Sequence, residues 1–170
     1  MNKITLHATL LLSLLFLGCS ETSSPSPKSS KTRFQTVLAS KAKLVQKGAN
    51  KESCVICGMN LVKFYKTSYI AESKNGTKRQ YCSLHCVVED NEINKTDLLN
   101  VKVVDTDTLK HISAQKAFYV VGSSKAGTMT RTSKYAFASK AKAKAFAKKF
   151  GGKVMNFHDT YDVAMKDSYR

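Results

Sequence analysis

Residues 135–157 read YAFASKAKAKAFAKKFGGKVMNF, and this stretch decides the fold class. Tyr135-Ala-Phe-Ala138 is short, apolar and aromatic, as a strand requires. Ser139 is a capping residue. Behind it Ala143, Phe146, Ala147 and Phe150 recur on one helical face, with Lys140, Lys144 and Lys148 on another. Gly151-Gly152 ends the helix, and 153–157 (KVMNF) resumes as a strand. Upstream, apolar runs at 101–105 and 116–121 predict two more strands; downstream, 161–166 predicts a short last helix. The second half therefore reads β-β-β-α-β, and the class is α+β.

The first half has a related rhythm. Residues 61–73 are rich in Val, Phe, Tyr and Ile with Lys interspersed, which favours strands with one wet face. Asn75-Gly76 signals a two-residue hairpin, with a return strand over 77–81. From Ser83 the run LHCVVEDNEI reads as a helix, Ser83 its cap, Asp90 and Glu92 marking its wet side. Residues 34–48 fit a short helix or a strand equally. The expected architecture is two small β-β-α-β-type units, 34–100 and 101–170, the second larger and better defined.

The start of the chain sets the expected compartment. Residues 1–18 read as an export signal: Lys3, then a nearly unbroken apolar stretch from Ala8 to Leu17, too short to span a bilayer. Phe16-Leu17-Gly18-Cys19 follows the bacterial lipoprotein pattern, which predicts cleavage before Cys19 and lipidation of its thiol. Ser20 in place of aspartate gives no inner-membrane retention signal, so outer-membrane anchoring in the periplasm is favoured over the inner membrane. Residues 19–33 then form the lipidated cysteine and a Ser/Pro/Lys-rich tether. The net charge is +16, spread as lysine along the whole chain without the aromatic interleaving that stacks bases. Nucleic acid is not an expected partner; a solvated lysine surface, anionic lipid or an acidic protein fits better.

The chemistry lies in the cysteines. The chain has five. Lipidation of Cys19 leaves two pairs: Cys54-Val-Ile-Cys57-Gly58-Met59, and Tyr81-Cys82-Ser-Leu-His85-Cys86. In a helix starting near Cys82, His85 and Cys86 share its face, and a helix N-terminus lowers thiol pKa. Such soft donors select Cu(I), Zn(II) or an iron-sulfur centre over hard ions. Three arrangements remain open: two disulfides, a structural zinc on four cysteines, or a labile Cu(I) site using Cys54, Cys57 and Met59. The methionine favours copper, since thioethers are poor zinc ligands. Met129, in a loop outside any apolar period, is a further candidate ligand. Met155 and Met165 read as packing, and His111 and His158 as surface or structural histidines. No hydrolase triad, phosphate loop or carboxylate pair is present, so no enzyme is expected. A thiol oxidoreductase would place its Cys-x-x-Cys before a helix, whereas this one precedes strands.

Lipidated Cys19, Cys54-Val-Ile-Cys57-Gly58-Met59, and the series Ala117-Phe-Tyr-Val-Val-Gly, Gly127-Thr-Met129, Tyr135-Ala-Phe-Ala, Ala145-Phe-Ala and Gly151-Gly152-Lys-Val together resemble the NosL family. The resemblance covers most of the chain after the tether. It implies a pair of small β-β-α-β units and a periplasmic Cu(I) chaperone that supplies nitrous oxide reductase in denitrification. It also implies Cys54, Cys57, Met59 and Met129 as copper ligands. The segment Tyr81–Cys86 departs from that pattern. It resembles instead the second half of the small treble-clef metal domains called TRASH or YHS, and raises a four-cysteine site with Zn(II) as the alternative ion.

Overall fold

The computed structural model describes residues 33–168. The expected signal peptide, Cys19 and the tether up to residue 32 lie outside the described residues. Among these, no helix is long and apolar enough to cross a membrane.

Among the described residues, seven strands and three α-helices follow in chain order: β1 Tyr69–Glu72, β2 Lys78–Tyr81, α1 Leu84–Val88, β3 Leu99–Val104, β4 His111–Ser113, β5 Phe118–Val121, β6 Lys134–Phe137, α2 Lys140–Phe150, β7 Lys153–Met155 and α3 Phe157–Ser168. They build two antiparallel sheets, ordered β2-β1-β3-β4 and β6-β5-β7. The α+β class holds, and one connection appears twice. In β1-β2-α1-β3 and again in β5-β6-α2-β7, a hairpin feeds a helix that returns a strand to the free side of the first strand.

This topology corrects the reading of β3, which was grouped with the later strands. It pairs with β1, Tyr69 opposite Val103, so the second unit is β-β-α-β and not β-β-β-α-β. The first sheet gains β4, which the sequence did not signal. Residues 34–48 carry only a 3₁₀ turn, Ala39–Lys41. Within 61–73 a 3₁₀ turn, Tyr65–Thr67, precedes the single strand β1. The last strand is shorter than read and the last helix longer, because Asn156 caps it: its Oδ1 accepts from the Asp159 N–H at 2.9 Å.

The β1–β2 hairpin carries a three-residue connection, not two. Gly76 N–H donates to Ser73 O at 2.8 Å and Ser73 N–H to Thr77 O at 3.1 Å. Gly76 takes φ +80°, the left-handed residue that completes a type I turn plus bulge.

Strand β5 is the hinge of the packing. Val120 faces α2 and packs with Tyr135, Phe137, Ala143 and Phe146. Tyr119 and Val121 face the opposite way, into the larger core shared with Tyr69, Tyr81, Val103 and Ala164 of α3. Alternate residues of one strand thus serve two cores, and α2 and α3 cover opposite faces of the sheet. Helix α2 follows its sequence pattern: Ser139 Oγ accepts from Lys142 N–H, and Gly151 (φ +73°) ends it.

Candidate metal centre

Two local structures bring the cysteines together. The first is a tight loop over 53–60. Gly58 N–H donates to Cys54 O at 2.9 Å, Cys54 N–H to Met59 O at 2.9 Å, and Gly58 turns the chain back with φ +72°. Val55 N–H donates to Gln80 O at 3.2 Å, which pins this loop to the edge of β2. The second is the junction of β2 and α1. Strand β2 ends at Tyr81, Cys82 follows, and Cys86 lies one turn later in α1. Ser83 occupies the N-cap position, but its side chain makes no capping bond, contrary to the sequence reading.

The four sulfurs of Cys54, Cys57, Cys82 and Cys86 all lie within 4.8 Å of one another. Cys57 Sγ is 3.5 Å from Cys82 Sγ and 3.6 Å from Cys86 Sγ, and Cys82 to Cys86 is 3.8 Å. All four are free thiols, far from the ~2.05 Å of a disulfide. Four sulfurs at ~2.3 Å from a tetrahedral ion stand ~3.8 Å apart, so these edges suit one soft metal ion. Cys82 and Cys86 have no exposed surface and Cys54 only 3%; Cys57 is half-buried and forms the corner nearest solvent.

The thiols share charge unequally. Hydrogen bonds from Cys82 and Cys86 hold the Cys54 thiol far below its usual range. The same bonds to Cys54, with burial, push Cys82 and Cys86 up. The helix start was expected to lower those two; burial and the neighbouring Cys54 sulfur push them up instead. A soft metal ion bound among these sulfurs would displace their thiol protons.

The NosL family model matches residues 46–164, well over half of the chain. The chain belongs to the NosL family. Among solved structures it is similar to the crystal structure of the copper chaperone NosL from Shewanella denitrificans, with 26% identity and a TM-score of 0.55, covering 69% of this chain and 95% of that one. It is also similar to the solution NMR structure of apo-NosL from Achromobacter cycloclastes, with 24% identity and a TM-score of 0.40, covering 54% and 82%. No curated protein sequence matches. NosL proteins are carriers and not enzymes, in agreement with the absence of catalytic motifs.

The remaining sequence candidates fall elsewhere. His85 is not part of the sulfur cluster. Its Nδ1 lies 2.9 Å from Ser168 Oγ at the end of α3, and its Nε2 3.7 Å from Glu89. Met59 closes the Cys54 loop through its carbonyl and rests its side chain against the larger core. Met129 is 43% exposed with φ +66°, strained for a residue with a side chain. Its neighbour Thr128 is tied inward: Thr67 Oγ1 lies 2.8 Å from both Thr128 Oγ1 and the Cys82 carbonyl.

Asp90 is the residue beside the cysteines that the sequence reading misplaced. It was expected on the wet side of the helix and is fully buried. Its carboxylate accepts from Arg79 Nε and the Tyr81 hydroxyl, both at 2.7 Å, and from the Thr96 hydroxyl. These bonds brace β2 against the helix that carries Cys86. The signal was its spacing: four residues after Cys86, it shares that residue's face. Helix α1 also widens to a π turn over Glu89–Ile93.

Proposed function

We propose that this protein is an exported lipoprotein, anchored through Cys19 in the periplasm, that holds Cu(I) on its cysteine cluster and passes it to a copper enzyme, nitrous oxide reductase being the expected client. One observation carries the reading: four free thiols converge on a single point, and only the Cys57 corner approaches solvent. Membership of the NosL family and the likeness to a copper chaperone support Cu(I) as the cargo. Transfer follows from soft-ligand exchange. A client thiolate or thioether enters at the Cys57 corner, Cys57 leaves, and the ion changes hands without release into water. Met59, which closes the Cys54 loop, and Met129, whose neighbour Thr128 is tied through Thr67 to the Cys82 carbonyl, are the proposed thioether donors during handover.

A second reading has its own support. The sulfur edges suit a closed four-cysteine zinc site, which would make the domain a zinc-stabilised module in metal handling. Anaerobic Cu(I) titration of the reduced protein against a competing chelator, with zinc measured on the protein as purified, separates the two. One tightly held Cu(I) per chain, lost in Cys57→Ser, and a fold that persists without metal are expected. Stoichiometric zinc that copper cannot displace, with unfolding on chelation, overturns the carrier reading.

A further inference from the structure

We propose that the groove beside Cys54 is the face on which the copper-receiving protein docks, and that it takes an acidic segment of that protein. This rests on the carrier reading above. The groove runs between residues 46–50 and β2, with the Cys54–Gly58 loop as its floor. Its charged lining is wholly basic, Lys47, Lys78 and Arg79, and includes no carboxylate. A partner presenting Asp or Glu there would lie directly against the loop that holds two of the four sulfurs.

The walls are built to keep their shape. Gln80, fully buried, accepts from Val45 N–H on its side-chain oxygen at 3.0 Å and donates its own N–H to Gln46 Oε1 at 3.1 Å. Gln46 Nε2 in turn donates to Ser53 O at 2.8 Å. Arg79 is held through its Nε by Asp90 and the Tyr81 hydroxyl, which fixes the plane of its guanidinium. A fixed guanidinium plane suits a carboxylate better than a free lysine does. Between the charges, Val55 is 38% exposed and offers one apolar contact on the metal loop itself. Basic groups around a small apolar centre are the pattern of a steered, transient interface.

The test compares Lys47→Glu/Lys78→Glu with Lys140→Glu/Lys148→Glu, an equal charge change on exposed α2. For each full-length protein, Cu(I) affinity is measured against a competing chelator. The rate of Cu(I) transfer to metal-free nitrous oxide reductase is then followed at low and high salt. The groove variant should keep wild-type affinity, lose about tenfold or more in transfer rate at low salt, and lose the wild-type salt dependence. The α2 variant should transfer as the wild type does. Equal rates in the two variants overturn the docking face. A fall in Cu(I) affinity in the groove variant alone also overturns it, because the cations would then serve the thiolates and not a partner. A wild-type protein that binds Cu(I) tightly but passes none overturns the carrier reading, and the docking face with it.

Discussion

Asp90 braces the cysteine site, and its removal should be felt in both stability and metal binding. Arg79 and Tyr81 sit on β2 just ahead of Cys82, and Asp90 follows Cys86 by one turn, so the carboxylate ties one sulfur's strand to the other sulfur's helix. In Asp90→Ala the fully buried Tyr81 hydroxyl loses its acceptor and Arg79 its counter-charge. Breaking a buried ion pair costs about 3–5 kcal/mol. The Arg79 side chain is 26% exposed and regains some water, which places the net loss near the lower end, about 3 kcal/mol. With a urea slope of about 2 kcal/mol per M for a domain of this size, the unfolding midpoint should fall by about 1.5 M. Asp90→Asn keeps the shape without the charge and adds a pH test. Burial alone pushes the Asp90 carboxyl up, but hydrogen bonds from Thr96, Tyr81 and Arg79 outweigh it and hold it below its ordinary value. A carboxyl lowered by folding adds stability above its unfolded pKa, and that stability is lost as the pH falls through the folded one. The wild type should therefore weaken below about pH 4 with a slope that the asparagine variant lacks. An Asp90→Ala midpoint within about 0.3 M of wild type would refute the brace.

Other perturbations probe separate features. Burial, with Lys102 and Lys43 nearby, pushes the His111 imidazole down from 6.5 to about 4. The unfolded chain takes up this proton first, so stability present above pH 6.5 is lost between 6.5 and 4, by at most about 3 kcal/mol. His111→Gln should flatten that part of the urea midpoint against pH, and an unchanged slope would exclude His111 as its source. Gly152 has φ +92°, and an added Cβ would lie 2.7 Å from Val121 O, whereas Gly151 at φ +73° has open space. Thermal melts should show Gly152→Ala losing about 2 kcal/mol or more and Gly151→Ala about 1 kcal/mol; equal losses would contradict the close approach. Thr67→Val removes the hydroxyl between Thr128 and the Cys82 carbonyl. It should cost about 1–2 kcal/mol, with faster amide exchange in the loop holding Met129 as the accompanying sign.

The elements that sequence revealed are those whose causes are local. Helix α2 carries its cap at Ser139, its apolar face at Ala143 and Phe146 and its stop at Gly151 within one short stretch, and it forms where expected. The β1–β2 hairpin announces itself through Asn75-Gly76, though not its loop length, which depends on the Ser73–Thr77 pairing. What was not legible depends on distant partners. Strand β4 is three residues long and exists because β3 offers it an edge. Residues 34–64 have almost no regular pairing, and their order comes from side chains reaching across the chain. Gln35 Nε2 donates to Ala126 O at 2.7 Å, and Gln46 and Gln80 interlock. No periodicity encodes a glutamine's distant partner.

The site divides the same way. Two cysteine pairs at close spacing were enough to name the four sulfurs, because each pair is placed by its own turn or helix. Which other donors join them is a question of where a ring or thioether points after folding. His85 shows the difference. Its spacing from Cys82 and Cys86 put it with the ligands, yet α1 lies against α3, and Ser168 and Glu89 engage its two nitrogens. Ala164 of α3 shares one buried core with Cys86 and Val87, so the helix that engages the histidine also packs in the core that encloses the sulfur. A set of donors restricted to sulfur suits a soft ion, and with three of its four corners buried the proposed exchange would run through Cys57. The positive groove is lined by Cys54, Val55, Ile56 and Gly58 of that same loop and not by Cys57. A client bound there would lie against the cysteine loop without covering the Cys57 corner.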